Sequence, residues 1–202
     1  MTVGAREALV GQAAPVAQPG AGIFVAVAGP SGAGKDSLIA GARQAFAGDE
    51  RIVFARRVIT RPVDDSEPYE CATPLSFRLM AESGGFALWW SANGLEYGLP
   101  ASLLDDFARG RVIVANVSRD MTPMVRSRFS RALVVHVTAS PAKLAARLER
   151  RGREPADQRQ DRLARALLKD QAVEADIRIE NDGSLHDGID AFVGLLKSLL
   201  QK

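Results

Sequence analysis

Residues 25–46 read VAVAGPSGAGKDSLIAGARQAF, and the interpretation of this stretch decides the fold. An apolar, β-branched run leads into a glycine-rich turn, and beyond it Leu38, Ile39, Ala42 and Phe46 recur at helical spacing. Strand, G-x-x-x-x-G-K loop and amphipathic helix, in that order, make a phosphate-binding loop. The glycines let backbone N–H groups curl around a phosphate, and the helix N-terminus adds its dipole. Gly29, Pro30, Ser31, Gly32, Ala33, Gly34 and Lys35 are therefore the candidate cradle for ATP, with Lys35 bridging the β- and γ-phosphates. A glycine-rich turn with an exposed lysine is the bland alternative; the buried strand before it and the amphipathic helix after it argue against that.

The loop motif ordinarily continues with Ser or Thr, whose hydroxyl ligates magnesium. Here the residue is Asp36, followed by Ser37. Ser37 cannot simply take over, because one helical residue turns a side chain through about 100°. A bare carboxylate would repel a triphosphate, but a magnesium ion reverses the sign, since hard cations prefer oxygen ligands. Asp36, with Ser37 beside it, is the expected Mg2+-holding set. The competing reading is a carboxylate favoured only by the helix dipole.

Working outward, GIFVAVAG (22–29), RIVFARRVI (51–59), RVIVANVS (111–118), RALVVHVTA (131–139) and DIRIEND (176–182) read as strands. Their apolar content suits strands buried on both faces of a parallel sheet. SLLDDFARG predicts a helix with Gly110 just past its end. SPAKLAARLERRG predicts another, with Ser140 as N-cap, Pro141 in the first turn and a stop at Gly152. A helix through Arg162, Leu163, Ala166 and Leu167 and a terminal helix over 184–200 complete the alternation. The expected fold is α/β, a P-loop domain with a five-stranded parallel sheet flanked by helices. Residues 60–98, punctuated by Pro62, Pro68, Pro74 and Gly84–Gly85, interrupt the pattern and predict an inserted lobe, with Trp89 and Trp90 packing on opposite sides of one strand. Residues 1–21, rich in Ala, Gly and Pro, read as a flexible extension before the domain over 22–200.

The 202 residues suffice for one domain with a full core, and 47% hydrophobic with 25% charged residues is an ordinary globular composition. A formal net charge of +2 gives no broad field for a nucleic-acid backbone. No apolar run approaches the ~20 residues that span a bilayer, and the opening segment lacks a continuous secretory core. A cytoplasmic location, with no nucleic-acid and no membrane partner, is the expectation. The one cysteine, Cys71, excludes an internal disulfide and is expected to be an ordinary buried thiol. His136, inside an apolar strand run, and His186, in the terminal helix, are expected to be structural.

With these residues in hand the sequence resembles the guanylate-kinase group of P-loop kinases from about residue 22 to 200, through GPSGAGK, ITRP, Tyr69 followed by Phe77, LEYG, RLERRG, Arg162 and END. Within that group it is most similar to the ribose 1,5-bisphosphate phosphokinases of bacterial phosphonate breakdown, which share the Asp after the loop lysine, the ANGL-x-YG segment, RGRE and NDGSL. The resemblance implies an acceptor-binding lobe at about 60–98 and an arginine-rich lid at about 150–162. It matches Arg61, Tyr69 and Tyr97 to residues that grip the acceptor's phosphate, with a second arginine replaced by Asp64. It matches Asn181 to a position near the donor base. The positions that read guanine in guanylate kinases are here Arg57, Leu88 and Ser118, and another acid of that group becomes Asn116. An aliphatic side chain cannot accept hydrogen bonds from a base, and each unsatisfied donor costs ~1–3 kcal/mol. Lost base readers beside a retained phosphate grip imply a sugar-phosphate acceptor, with Arg57 available to a second phosphate.

Arg147, Arg150, Arg151, Arg153, Arg159, Arg162 and Arg165 crowd one segment around Gly152. Most charge runs are solvated faces, but by resemblance Arg151 and Arg162 match lid arginines that neutralise the transferring phosphoryl group. With Lys35 they are the expected catalytic residues. A phosphate acceptor is already anionic near neutral pH, so positioning and charge neutralisation suffice without a general base, although Asp64, Asp65 or Glu67 remains available as one. The resemblance thus implies transfer from ATP, with Mg2+, to ribose 1,5-bisphosphate. A nucleoside monophosphate kinase and a non-catalytic protein-binding module are the alternatives, and monomer and homodimer both stay open.

Overall fold

The computed structural model describes residues 22–62, 68–151 and 173–201. The expected N-terminal extension, Asp64, Asp65 and Glu67, Gly152, Arg153, Arg159, Arg162 and Arg165, and the helix through Arg162 lie outside those residues, as do the side chains of Arg150 and Arg151.

Five strands form the principal sheet: β1 (Ile23–Ala28), β2 (Ile52–Phe54), β7 (Val112–Asn116), β8 (Ala132–Thr138) and β9 (Ile177–Glu180). Their order is β2-β7-β1-β8-β9 and every pairing is parallel, as the sequence predicts. Strand period two separates the faces of β1. Phe24, Ala26 and Ala28 point into one core with Ile113, Ala115, Phe107 and Phe129. Val25 and Val27 point into the other, which is closed by Leu38, Ile39 and Ala42 of α1 (Lys35–Ala45) and by Phe192, Val193 and Leu196 of the terminal helix, Leu185–Leu200. Both faces are therefore covered, the condition under which a parallel sheet is stable.

A second sheet, order β4-β3-β6-β5, stands beside the first. It comprises β3 (Arg57–Ile59), β4 (Tyr69–Cys71), β5 (Phe86–Ala92) and β6 (Leu95–Pro100), with α2 (Pro74–Glu82) inserted after β4. The stretch 51–59, expected as one strand, is thus two. Ile52–Phe54 pairs parallel with β7 in the first sheet, whereas Val58 and Ile59 pair antiparallel with Gly98 and Tyr97 in the second. The change falls at Arg56, which is exposed, and Arg57, which stand between the two apolar halves. Trp89 and Trp90 do fall on opposite faces: Trp90 enters the principal core and Trp89 packs toward Phe77 and Phe86. Cys71 is exposed, contrary to the buried thiol expected, because it ends a three-residue strand at the sheet edge.

The remaining helices are α3 (Leu103–Ala108), α4 (Thr122–Arg128), α5 (Pro141–Arg151) and α6 (Leu185–Leu200). Gly110 follows α3 at φ 80°, and Ser184 caps α6. His136 is fully buried in β8, where Arg178 of β9 lies 3.0 Å from its Nδ1; His186 is exposed on α6, 3.2 Å from Asp190. No helix among the described residues is long and apolar enough to cross a membrane.

Candidate active site

In parallel α/β sheets ligands bind beyond the carboxyl ends of the strands, and most of the residues singled out from the sequence converge there. The loop after β1 takes its shape from glycine. Gly29 has φ 149°, and a Cβ on it would lie 2.0 Å from the Val137 carbonyl oxygen; Gly34 has φ 97°, and a Cβ on it would meet the Asn181 amide nitrogen at 2.3 Å. Gly34 is also the N-cap of α1 and supplies no side-chain cap, so the helix presents its first-turn N–H groups toward the loop. Lys35 extends back along the loop, its Nζ donating to the carbonyls of Gly29 and Pro30 at 2.9 Å each. Ala33 is buried against the core under the loop, while Ser31 and Ser37 are exposed.

The loop is braced from outside by residues far away in sequence. Asn181, immediately after β9 and only 2% exposed, donates from Nδ2 to the Ala33 carbonyl at 2.8 Å. Arg147 of α5 donates to the carbonyls of Gly32 (3.2 Å), Ala33 (3.3 Å) and Asn181 (2.9 Å). Asp182 accepts from the Ser140 backbone N–H at 2.7 Å, fixing the start of α5. The END segment therefore ties β9, α5 and the loop together. Nothing in the pattern of residues marks Arg147, one of seven arginines in a charged run, for this bracing role; its contact with the loop is visible only in three dimensions.

Asp36 and Asn116 meet where α1 begins and β7 ends: Asn116 Nδ2 donates to Asp36 Oδ1 at 2.6 Å. Both line one cleft together with Arg43, Ala55, Arg57 and Pro68. Arg43 lies two helical turns beyond Asp36 on the same face of α1, which is why no loop motif points to it. Burial, and then the neighbouring Arg56 guanidinium, holds its pKa below the usual arginine value. The described residues contain no cluster of three or more His, Cys, Asp or Glu able to hold a metal ion. Magnesium does not need one, since it is usually held by one or two carboxylates plus substrate phosphates and water. A single carboxylate at the head of α1, with one oxygen fixed by an amide, fits that requirement.

On the other side of the cleft the strand register assembles the acceptor candidates. Arg57 pairs with Tyr69, and Ile59 with Tyr97, so alternation sets Arg57 diagonal to Tyr97 on one face. The Arg57 guanidinium lies 5.3 Å over the Tyr97 ring, and that ring stacks on Trp90 at 5.6 Å and 9°. The Arg61 guanidinium lies 4.7 Å over the Tyr69 ring, and its Nε donates to the Tyr69 hydroxyl at 3.4 Å. That hydroxyl donates to the Pro62 carbonyl, and Arg56 donates to the Tyr69 carbonyl at 3.0 Å. Arg57 and Arg61, the two candidate cations, are thus each seated on an aromatic face. Leu88 is buried in the principal core and Ser118 begins the short 3-10 turn Arg119–Met121, so neither offers a carboxylate to a purine edge. The backbone of Arg151 ends α5; Arg162 lies outside the described residues.

Comparison with known proteins gives a consistent set of relatives. The chain is 47% identical over 178 residues to ribose 1,5-bisphosphate phosphokinase PhnN of Acidiphilium cryptum (strain JF-5), covering 88% of this chain and 94% of that protein. It is 40% identical over 187 residues to the protein of the same name from Rhizobium etli (strain CIAT 652), covering 90% and 95% respectively. Against a bifunctional ribose 1,5-bisphosphokinase-thymidine phosphorylase of Azorhizobium caulinodans it is 44% identical over 178 residues and spans 26% of that longer protein. Among solved structures, guanylate kinase from Anaplasma phagocytophilum superposes with a TM-score of 0.63 at 19% identity, covering 91% of this chain and 89% of that one, which establishes the guanylate-kinase-like fold. No protein-family model matches the chain.

Proposed function

The chain belongs to the ribose 1,5-bisphosphate phosphokinase family, and from that premise we propose that it transfers the γ-phosphoryl group of ATP to the 1-phosphate of ribose 1,5-bisphosphate, giving 5-phosphoribosyl 1-diphosphate and ADP in phosphonate breakdown. The observation that carries the acceptor assignment is the Arg57–Tyr97–Trp90 stack beside the buried Leu88. By the resemblance, Arg57 and Leu88 stand where guanylate kinases read a base. A guanidinium and an aliphatic side chain there attract an anion and leave the donors of a purine unanswered.

In this reading the loop amides, from Gly29 to Gly34, and the open end of α1 hold the donor phosphates, and Lys35 swings from the loop carbonyls to the β- and γ-phosphates. Asn181 acts on the donor site through the loop it braces. Asp36, with the exposed Ser37 beside it, holds magnesium, which when bound neutralises phosphate charge and orients the triphosphate. Arg61, Tyr69 and Tyr97 hold the acceptor's 1-phosphate, and Arg57 its second phosphate. The acceptor oxygen is anionic before it attacks, so the chain need only align it with the γ-phosphorus and cancel charge. Arg151 and Arg162 supply the positive charge that follows the moving phosphoryl group.

An ADP-release assay with ribose 1,5-bisphosphate, GMP, AMP and UMP as acceptors tests the assignment. Turnover of the sugar bisphosphate at a kcat/KM at least ~10² above every nucleotide is expected, as a site built for one set of polar groups discriminates against another. Preferential turnover of any nucleotide overturns it.

A further inference from the structure

We propose that Asn116 is the positioning residue for the magnesium-holding carboxylate, and that Asp36 and Asn116 have exchanged the chemical roles that P-loop enzymes ordinarily give to these two places. The inference rests on the reading of Asp36 as the residue that holds magnesium. The ordinary arrangement puts a hydroxyl directly after the loop lysine and an acid on a strand beside the loop strand. In this chain β7 is hydrogen-bonded to β1 in parallel, with Val27 opposite Asn116, the last residue of the strand. The acid therefore sits after Lys35, and the neutral residue sits at the strand end.

The two side chains are 80 residues apart in sequence and 2.6 Å apart in space. An ionised carboxylate only accepts hydrogen bonds, so the atom facing it has to be the Asn116 NH2. That contact engages Oδ1 of Asp36, a residue that itself lines the cleft. An acid in place of Asn116 would set two carboxylates within hydrogen-bond distance, where like charges repel. A single negative charge is thus shared between two places, carried here by the helix and ordinarily by the strand. An amide is the side chain that fills the second place without repelling the first.

The test measures the affinity of a fluorescent ATP analogue with and without magnesium, the ratio being the gain that the metal confers. Wild type is compared with Asn116→Ala, Asn116→Ser, Asp36→Ser, Asn116→Asp and the double exchange Asp36→Ser/Asn116→Asp, with thermal melting to show that each is folded. Loss of a residue that orients a metal ligand commonly costs ~10–100-fold in metal affinity, so the gain should fall by that factor in Asn116→Ala and Asn116→Ser while metal-free affinity stays within ~3-fold. Asn116→Asp should lose it further. The double exchange should recover it to within ~10-fold of wild type, with bound manganese visible by electron spin resonance.

A merely structural tie between β7 and α1 predicts the reverse: equal losses with and without metal, and no recovery in the double exchange. Either result overturns the proposal. If Asn116→Ala keeps the full gain while Asp36→Ser loses it, Asn116 is dispensable and the reading of Asp36 stands. If Asp36→Ser also keeps it, that reading falls and this inference with it. Acceptor choice is untouched by either outcome.

Discussion

At the scale of single residues, the proposed acceptor contact turns on Arg57, which is only 9% exposed and stacked on Tyr97. Charge-assisted hydrogen bonds contribute about 1.5–3 kcal/mol, so Arg57→Ala should raise KM for ribose 1,5-bisphosphate roughly 10–100-fold with a smaller change in kcat. With ribose 1-phosphate, which lacks the second phosphate, wild type and variant should differ by no more than ~3-fold, since the removed contact then has no partner. An equal loss with both acceptors would assign Arg57 to packing alone. Cys71 gives a simpler check. As the one cysteine of the chain, exposed at the end of β4, it should react completely with a thiol reagent in the native protein; protection until denaturant is added would contradict the exposed placement.

At the scale of elements, the loop and its supports carry the next predictions. Gly29 combines a φ of 149° with a backbone oxygen where its Cβ would be, so neither strain nor overlap can be relieved by turning a side chain. Gly29→Ala should destabilise the domain by at least ~2 kcal/mol or displace the loop, read as a lower melting temperature together with weakened ATP binding. At the other end of the chain, Ser184 and Asp187 form a reciprocal capping box at the start of α6. Ser184→Ala should cost about 1 kcal/mol of stability by denaturant titration at neutral pH. Hydrogen bonds from the Ser184 side chain and backbone hold the Asp187 pKa below its ordinary value of 3.8. A depressed carboxylate pKa gives stability that is complete above 3.8 and fades as the pH drops below it. The difference between wild type and Ser184→Ala should therefore be constant above about pH 5 and shrink toward pH 3; a difference that grows in acid would refute the capping box.

At the scale of the whole molecule, the two sheets meet along the cleft that holds Asp36, Asn116, Arg43 and Arg57. Ligands that bind only the folded chain stabilise it by mass action, so ATP with magnesium at ~100 Kd should add about 2.7 kcal/mol, and ribose 1,5-bisphosphate should raise the melting temperature separately. GMP at the same concentration should leave it unchanged. Absence of any shift with ATP and magnesium would favour a non-catalytic binding module over a kinase.

The amino-acid sequence alone determined the phosphate loop, the five parallel strands and helices α1, α3, α5 and α6, though not α2 or α4; what it determined depends on local patterns: glycines at a fixed spacing, apolar runs of strand length and helical periodicity. It also singled out Asp36 by its place after Lys35, while Arg57, Arg61, Tyr69 and Tyr97 followed from the family resemblance that motifs such as ITRP and LEYG carry. Only the tertiary structure decided that 51–59 serves two sheets, that Cys71 is exposed, and that Arg147 and Asn181 brace the loop from outside. The same holds for the Asp36–Asn116 bond and for Arg43 in the cleft. Each of these depends on which distant segments the chain brings together, and contact between residues far apart in sequence leaves no periodic trace in either partner.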